Sequence, residues 1–318
     1  MKMIRLMGFS LAALLVCSTF VHAETRVTYK SAKTSSSYYQ MAVQIAEAIK
    51  AGTNGEIIVT VEESQGSVQN VKEVLVRTGN YVFTTPPALI QQAQESKGKF
   101  ADDDPAKYMS VRSLFPIPSL TMHFVVRADS GIKTFADLDG KTMLIGKGSF
   151  GAREAAKYFT LFGLDGKVKL ANAELGSAVQ ALKNRQIDGF ATSGSYPAPN
   201  VVEAAAGIGI NLLSLSAEQV KLTKRTELQI PAGTYPGVDY PVTTTSLPVV
   251  AYATTAMDDE TAYQLTKAFW EQKAKMAKNN AWWGGVSPAM LTNVYGKLHP
   301  GALRYYLESG VAIPDAIR

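Results

Sequence analysis

Cysteine, histidine and long apolar runs are nearly missing from this chain of 318 residues. Its single cysteine, Cys17, falls in an N-terminal stretch with the marks of an export signal. Lys2 and Arg5 form the charged start, residues 6–16 the apolar core, and Val21-His22-Ala23 a small-residue cleavage site. The apolar core is too short to span a bilayer, and bulky Val16 argues against lipidation of Cys17. Cleavage after Ala23 removes the cysteine and excludes disulfides and thiol chemistry from the mature chain. An exported protein without disulfides needs a full hydrophobic core, and the remaining length suffices for two domains or one large one. No later segment is apolar over a membrane-spanning length, so the mature chain is expected to be soluble and outside the cytoplasm.

Catalytic chemistry is equally sparse. Beyond His22 in the leader the histidines are His123, inside an apolar run, and His299, in a Leu-His-Pro-Gly turn. Neither has the spacing of a metal site. No G-x-S-x-G elbow is present, and nothing advertises a Ser-His-Asp triad. Glu62-Glu63 and Asp258-Asp259 read as surface or capping carboxylates, and Trp282-Trp283 as a recognition platform or, as is commoner for such a pair, packing for a terminal helix. Basic residues number 32 and acidic ones 27; losing Lys2 and Arg5 with the leader leaves a formal charge of +3. No basic run is dense enough for nucleic acid. No enzyme activity, cofactor or metal is expected, and binding chemistry is what remains.

That chemistry starts at residues 31–40, SAKTSSSYYQ, between a short strand (27–29) and an amphipathic helix (38–50). Any of Thr34, Ser35, Ser36 and Ser37 can cap the helix. A helix N-terminus carries unsatisfied N–H groups and partial positive charge, which suits a carboxylate or phosphate. The device recurs at residues 146–151, GKGSFG, after a strand and before a helix. This fits G-x-G-x-x-G, with Asp165 near the spacing of a ribose-binding acid. An exported chain meets little NAD, however, and Asp165 lies in a Gly-Leu-Asp-Gly turn rather than at a strand end. The preferred reading lets Gly148 admit a ligand to the backbone and Ser149 offer a hydroxyl. Lys147 or Arg153 then adds a charge contact or serves as a solvated helix end. A P-loop fails, since Ala152-Arg153 stand where Lys-Ser/Thr is needed.

The two devices belong to two halves of the same plan. Residues 66–85, GSVQNVKEVLVRTGNYVFTT, run Gly-Ser, helix, turn, aromatic strand and a hydroxyl-rich stop before Pro86. Residues 176–194, GSAVQALKNRQIDGFATSG, do the same before Pro197. This describes two similar α/β domains with parallel strands, whose ligands bind at the carboxyl ends of the strands. Residues 120–127 and 242–254 are the natural crossover strands, with Pro248 interrupting the second. Lobe 1 is then discontinuous, 24–125 plus 245–318, and lobe 2 is 126–244.

Across essentially the whole mature chain the sequence resembles the TAXI-type solute receptors of tripartite ATP-independent periplasmic (TRAP) transporters. The resemblance is carried by Ser37-Tyr38-Tyr39, Gly66-Ser67-Val68-Gln69-Asn70 and the phrase SGIKTFADLDGK at 130–141. It continues in IPAGTYPG at 230–237 and LHPGALRYY at 298–306. It implies a two-lobed, type II periplasmic-binding-protein-like fold that closes on a small carboxylate, dicarboxylate or acidic amino acid. The receptor would act as a monomer in the periplasm and deliver its solute to TRAP-type membrane permease subunits; a sensor presenting its closed form to a membrane signalling partner is the alternative. The implied pocket comprises Ser36, Ser37, Tyr38, Gln65, Ser67, Thr84 and Thr85 from lobe 1. Gly148, Ser149, Ser193, Ser195 and Tyr196 face them from lobe 2. Lys33-Thr34-Ser35-Ser36 replaces a glycine-rich loop, Thr84-Thr85-Pro86 replaces Gln-Ser-Asp, and Phe150 interrupts a small polar loop. These departures bear on ligand identity more than on fold.

Overall fold

The computed structural model describes residues 24–147 and 149–318; the leader with Cys17, and Gly148, lie outside the described residues. β-Branched runs and amphipathic runs alternate in the first part of the chain. They form β1 (Thr25–Lys30), α1 (Ser37–Gly52), β2 (Ile57–Glu62), α2 (Ser67–Lys72), β3 (Tyr81–Thr85), α3 (Pro87–Gln94) and the single turn α4 (Pro105–Tyr108). A 17-residue strand, β4 (Val111–Arg127), leads out of this group. The second group is β5 (Thr142–Leu144), α5 (Phe150–Leu161), β6 (Lys169–Leu170), α6 (Ala178–Lys183), β7 (Gly189–Gly194), α7 (Pro199–Ile208), β8 (Ile210–Leu212), α8 (Ala217–Thr223) and β9 (Thr226–Ile230). The long strand β10 (Val242–Thr254) returns, followed by α9 (Asp259–Asn279), β11 (Lys297–Leu298) and α10 (Pro300–Glu308). No helix among the described residues is long and apolar enough to cross a membrane.

The strands lie in the order β2-β1-β3-β10-β4-β7-β5-β6, with β8 and β11 on β4 and β9 on β10. β1 pairs in parallel with β2 and β3, and β5 in parallel with β6 and β7. Two small parallel sheets are therefore joined through the antiparallel pair β4–β10. β10 meets β3 over Val250–Tyr252 and β9 over Val242–Ser246, so it serves both groups. Its register slips between Leu247 and Val249, around Pro248, which has no N–H to give the ladder.

The strand expected over 120–127 in fact begins at Val111. Pro116 and Pro118 argue against a strand from sequence alone. There β4 is flanked by β10 on one side, while β7 and β8 join only from Thr121 onward, so the missing N–H groups cost little. In the acidic turn 101–105 four residues are exposed and Asp103 is half-buried. Asp103 accepts from the Tyr108 hydroxyl and pairs with Lys72, and Asp104 caps α4.

Burial follows the helical period. Met41, Ile45 and Ile49 of α1 are almost fully enclosed, and α1 packs on α9. Gly52 permits that approach, since a Cβ there would come 2.7 Å from the Ala268 Cβ. Trp283 closes this layer, its indole N–H donating to Gln44 Oε1 at 2.6 Å and its ring edge-on to Phe269.

Candidate functional site

Both hydroxyl-bearing helix starts open onto one cleft of about 80 Å³ between the two strand groups. That is room for roughly six water molecules. From the first group it is walled by residues 35–38 and by Gln65, Gly66 and Ser67. From the second come Gly146, Lys147, Ser149, Phe150, Ala191–Gly194 and Ala198.

Local chemistry dictates how each helix begins. Ser36 has extended backbone and its side chain accepts from the Tyr39 N–H; Ser149 does the same for Ala152 N–H at 2.9 Å. The capping reading and the binding reading therefore describe the same residues. The strand-to-helix loop is braced from behind. Asn70, fully buried at the end of α2's first turn, donates to the carbonyls of Ser31 and Thr84 at 2.6 and 2.8 Å. Ser31 Oγ donates to Tyr38 O, and Ser64 Oγ to Ser31 O. Asn70→Leu removes both of these hydrogen bonds, leaving Ser31 O with Ser64 Oγ alone, and is expected to cost about 2 kcal/mol, read as a lower urea midpoint with an unchanged m-value.

The two sides already touch. Ser195 N–H donates to Ser37 Oγ at 3.1 Å, and a Cβ on Gly194 would stand 2.5 Å from that oxygen. A Cβ on Gly66 would reach Ser149 at 3.7 Å, and one on Gly176 would reach Ser35 Oγ at 3.9 Å. Gly151 lets α5 start against β7, because any Cβ there would overlap Ser193 Oγ. The Tyr38 ring lines the space while its hydroxyl donates to Pro118 O at 3.0 Å; burial holds that phenol well above its ordinary pKa. The charged rim consists of half-buried Lys33, exposed Lys147 and exposed Glu174.

Of the residues expected in the pocket, Ser36, Ser37, Tyr38, Gln65, Ser67, Ser149, Ser193 and Lys147 line this space. Thr84 borders a small void beside it and donates to the Tyr29 hydroxyl at 2.9 Å. Thr85 points the other way along β3 and is fully buried away from the cavity wall. Arg153 is half-buried with its guanidinium over the Phe150 ring, 5.6 Å from the centroid, and is not on the wall. Ser195 and Tyr196 face a different cavity. Gly148 lies outside the described residues. Lys33 lines the cavity too, from the loop where the chain departs from the family pattern. Sequence reasoning missed Glu174, Thr192 and Asn200, which also line the space. Thr192 and Asn200 flank the strand end at Ser193–Tyr196, and that adjacency was the available signal.

A buried chain of hydrogen bonds sets the far wall. Ala198 N–H donates to the Tyr235 hydroxyl at 2.8 Å, and Tyr235 contacts His123 Nε2 at 2.8 Å. His123 Nδ1 lies 3.1 Å from Thr121 O. With the Tyr235 oxygen already accepting, its proton goes to Nε2, so the imidazole is neutral with Nδ1–H donating to the carbonyl. Burial lowers the His123 pKa to about 4, which keeps it so. The tyrosine of the IPAGTYPG phrase thus fixes the start of α7 beside the cavity. Among the described residues no group of three or more His, Cys, Asp or Glu is arranged to hold a metal.

The profile of the NMT1-like family matches residues 30–310. Among solved structures, the periplasmic binding protein BugD superposes with a TM-score of 0.56 at 12% identity, over 92% of this chain and 99% of its own. A protein from Bordetella bronchiseptica RB50 gives 0.51 at 16%, over 93% and 86%. A TRAP periplasmic solute binding protein from Desulfovibrio salexigens DSM2638, in complex with diglycerolphosphate, gives 0.46 at 13%, over 93% of each chain; at that score it says nothing of ligand or partner here. The fold is that of the type II periplasmic binding proteins: two α/β lobes joined by crossover strands.

Proposed function

The chain belongs to the NMT1-like family, and on that premise we propose that it is an exported solute receptor of the TAXI type. It captures a small organic anion (carboxylate, dicarboxylate or acidic amino acid) and presents the closed form to a TRAP-type membrane permease. Its role is binding without turnover. Lobe 1 is 24–125 plus 245–318, lobe 2 is 126–244, and they close by bending β4 and β10 where they cross between the sheets.

One observation carries the reading: the starts of α1 and α5 converge on a single space of about 80 Å³, with Lys33 and Lys147 at its rim. Two helix starts and two ammonium groups favour negative charge without a buried cation. Glu174, on the same rim, suits the ammonium of an amino acid.

The test is a thermal-shift panel on the protein without residues 1–23, using three- to six-carbon carboxylates, acidic amino acids, neutral amino acids and sugars. A matching anion at a hundred times its Kd adds about 2.7 kcal/mol and should raise the Tm by several degrees. A rise with neutral compounds only would overturn the anion assignment. Lys33→Gln and Lys147→Gln should each weaken binding about two- to fivefold, less at 0.5 M salt, as expected for exposed charges.

A further inference from the structure

Several polar side chains on the wall of the cleft already have partners. Ser36 and Ser149 cap their helices, Ser37 takes the Ser195 N–H, and Tyr38 donates to Pro118 O. Thr192 and Asn200 differ. Both line the cleft, and neither side chain makes a hydrogen bond among the described residues. Thr192 is only 6% exposed, yet its hydroxyl oxygen stays open to the cleft.

Strand alternation brings the two together. β7 turns Ala191 and Ser193 towards α5, where Gly151 lies against Ser193 Oγ, and turns Phe190 and Thr192 to the opposite face. Phe190 packs there with Ala198 and Val201 at the start of α7. Thr192 stands one step further along that face, beside the cleft, and Asn200 is the second residue of α7.

This corner offers little to an anion. Ala198 N–H is taken by the Tyr235 hydroxyl, Pro199 has no N–H, and Val201 N–H turns back to Ala198 O at 3.0 Å. Little of the N–H donation usual at a helix start remains. What is left is a hydroxyl and a carboxamide, each able to donate and to accept. A solute without a matching group would strip water from the Thr192 hydroxyl and leave it unpaired, at a cost in affinity.

We propose that Thr192 and Asn200 set the specificity of this site by holding a neutral oxygen of the solute, a hydroxyl or keto group, while its carboxylate meets the starts of α1 and α5. The assignment rests on the anion reading of the cleft and narrows it: the solute is a small hydroxy or oxo acid rather than a dicarboxylate. A second carboxylate would sit against two uncharged side chains with no cation beside it.

Calorimetric titration of the protein without residues 1–23 tests this. The probes are lactate and pyruvate against propionate and malonate, and 3- and 4-hydroxybutyrate against butyrate and succinate. At least one hydroxy or oxo acid should bind roughly tenfold more tightly than its unsubstituted parent and than the dicarboxylate of equal length. Thr192→Val keeps the shape without the hydroxyl and should bring that ratio to the parent close to one; Asn200→Leu should lower it as well. Because the Thr192 hydroxyl bonds nothing within the protein, unliganded Thr192→Val should melt at the wild-type temperature. Equal affinity for parents and substituted acids, tighter binding of the dicarboxylates, or an undiminished ratio in Thr192→Val would overturn the proposal while the anion reading stands. If none of these acids binds, the proposal falls, and the thermal-shift panel decides whether the anion reading falls with it.

Discussion

Gly194→Ala is expected to lower solute affinity at least tenfold, about 1.4 kcal/mol, while leaving the unliganded protein folded. The added methyl would sit 2.5 Å from Ser37 Oγ, closer than such atoms can approach. Residue 194 is held in β7 opposite Thr121, and Ser37 is the buried first residue of α1, whose start is capped by Ser36. Either Ser37 turns its Oγ away and gives up the Ser195 N–H, or the two sides part, and a site read only in the closed form then loses affinity in proportion to the population that closes. Ser37→Ala alone gives up a hydrogen bond and should cost roughly tenfold. The pair Ser37→Ala with Gly194→Ala should bind better than Gly194→Ala by itself. The clashing oxygen is then gone, and the Ser37 Cβ is 3.7 Å from the new methyl, an ordinary contact. Calorimetric titration of the four proteins decides it: wild-type affinity in Gly194→Ala would mean the bound lobes do not approach this closely.

Acidification should remove about 3 kcal/mol of folding stability through His123 alone. The imidazole has an ordinary pKa of 6.5 and a native value of about 4, lowered by burial. Between those values the unfolded chain binds a proton that the native one refuses. Stability therefore falls as pH drops below 6.5, with a slope of up to one proton, and this contribution levels off below about 4. His299 is lowered in the same direction, again chiefly by burial. Urea unfolding at pH 7, 5.5 and 4.5 should give His123→Gln a lower stability at pH 7 and a shallower fall towards 4.5. Parallel curves for variant and wild type would sink the assignment. Because Tyr235 hangs on His123 and Ala198 on Tyr235, the variant should also weaken solute binding at pH 7.

These outcomes divide according to how the residues behind them could be read. Strand β10 was legible residue for residue over 242–254, including the irregularity at Pro248. Helices α1 and α5 were legible to within about two residues, with Ser36 among the expected capping positions, whereas Ser149 was read as a ligand hydroxyl and also caps α5. The first half of β4 was not. Pro116 and Pro118 are poor strand residues unless one flank of the strand is free, and only the sheet order reveals that flank. Thr84 and Thr85 were indistinguishable as neighbours in a hydroxyl run. Side chains alternate along a strand, so one lies beside the cavity and the other is enclosed away from it.

By itself the sequence determined whatever depends on a few consecutive residues: apolar period, capping hydroxyls, turn glycines, the alternation of strand and helix, and through them the fold class. The tertiary structure alone decided which of the many hydroxyls share a cavity, that Gly194 meets Ser37, and that Tyr235 joins His123 to Ala198 across 112 and 37 residues. The physical reason is range. Backbone propensity and capping act within a turn or two of helix, whereas contact between distant segments is set by how the sheet twists and packs, which no local pattern records.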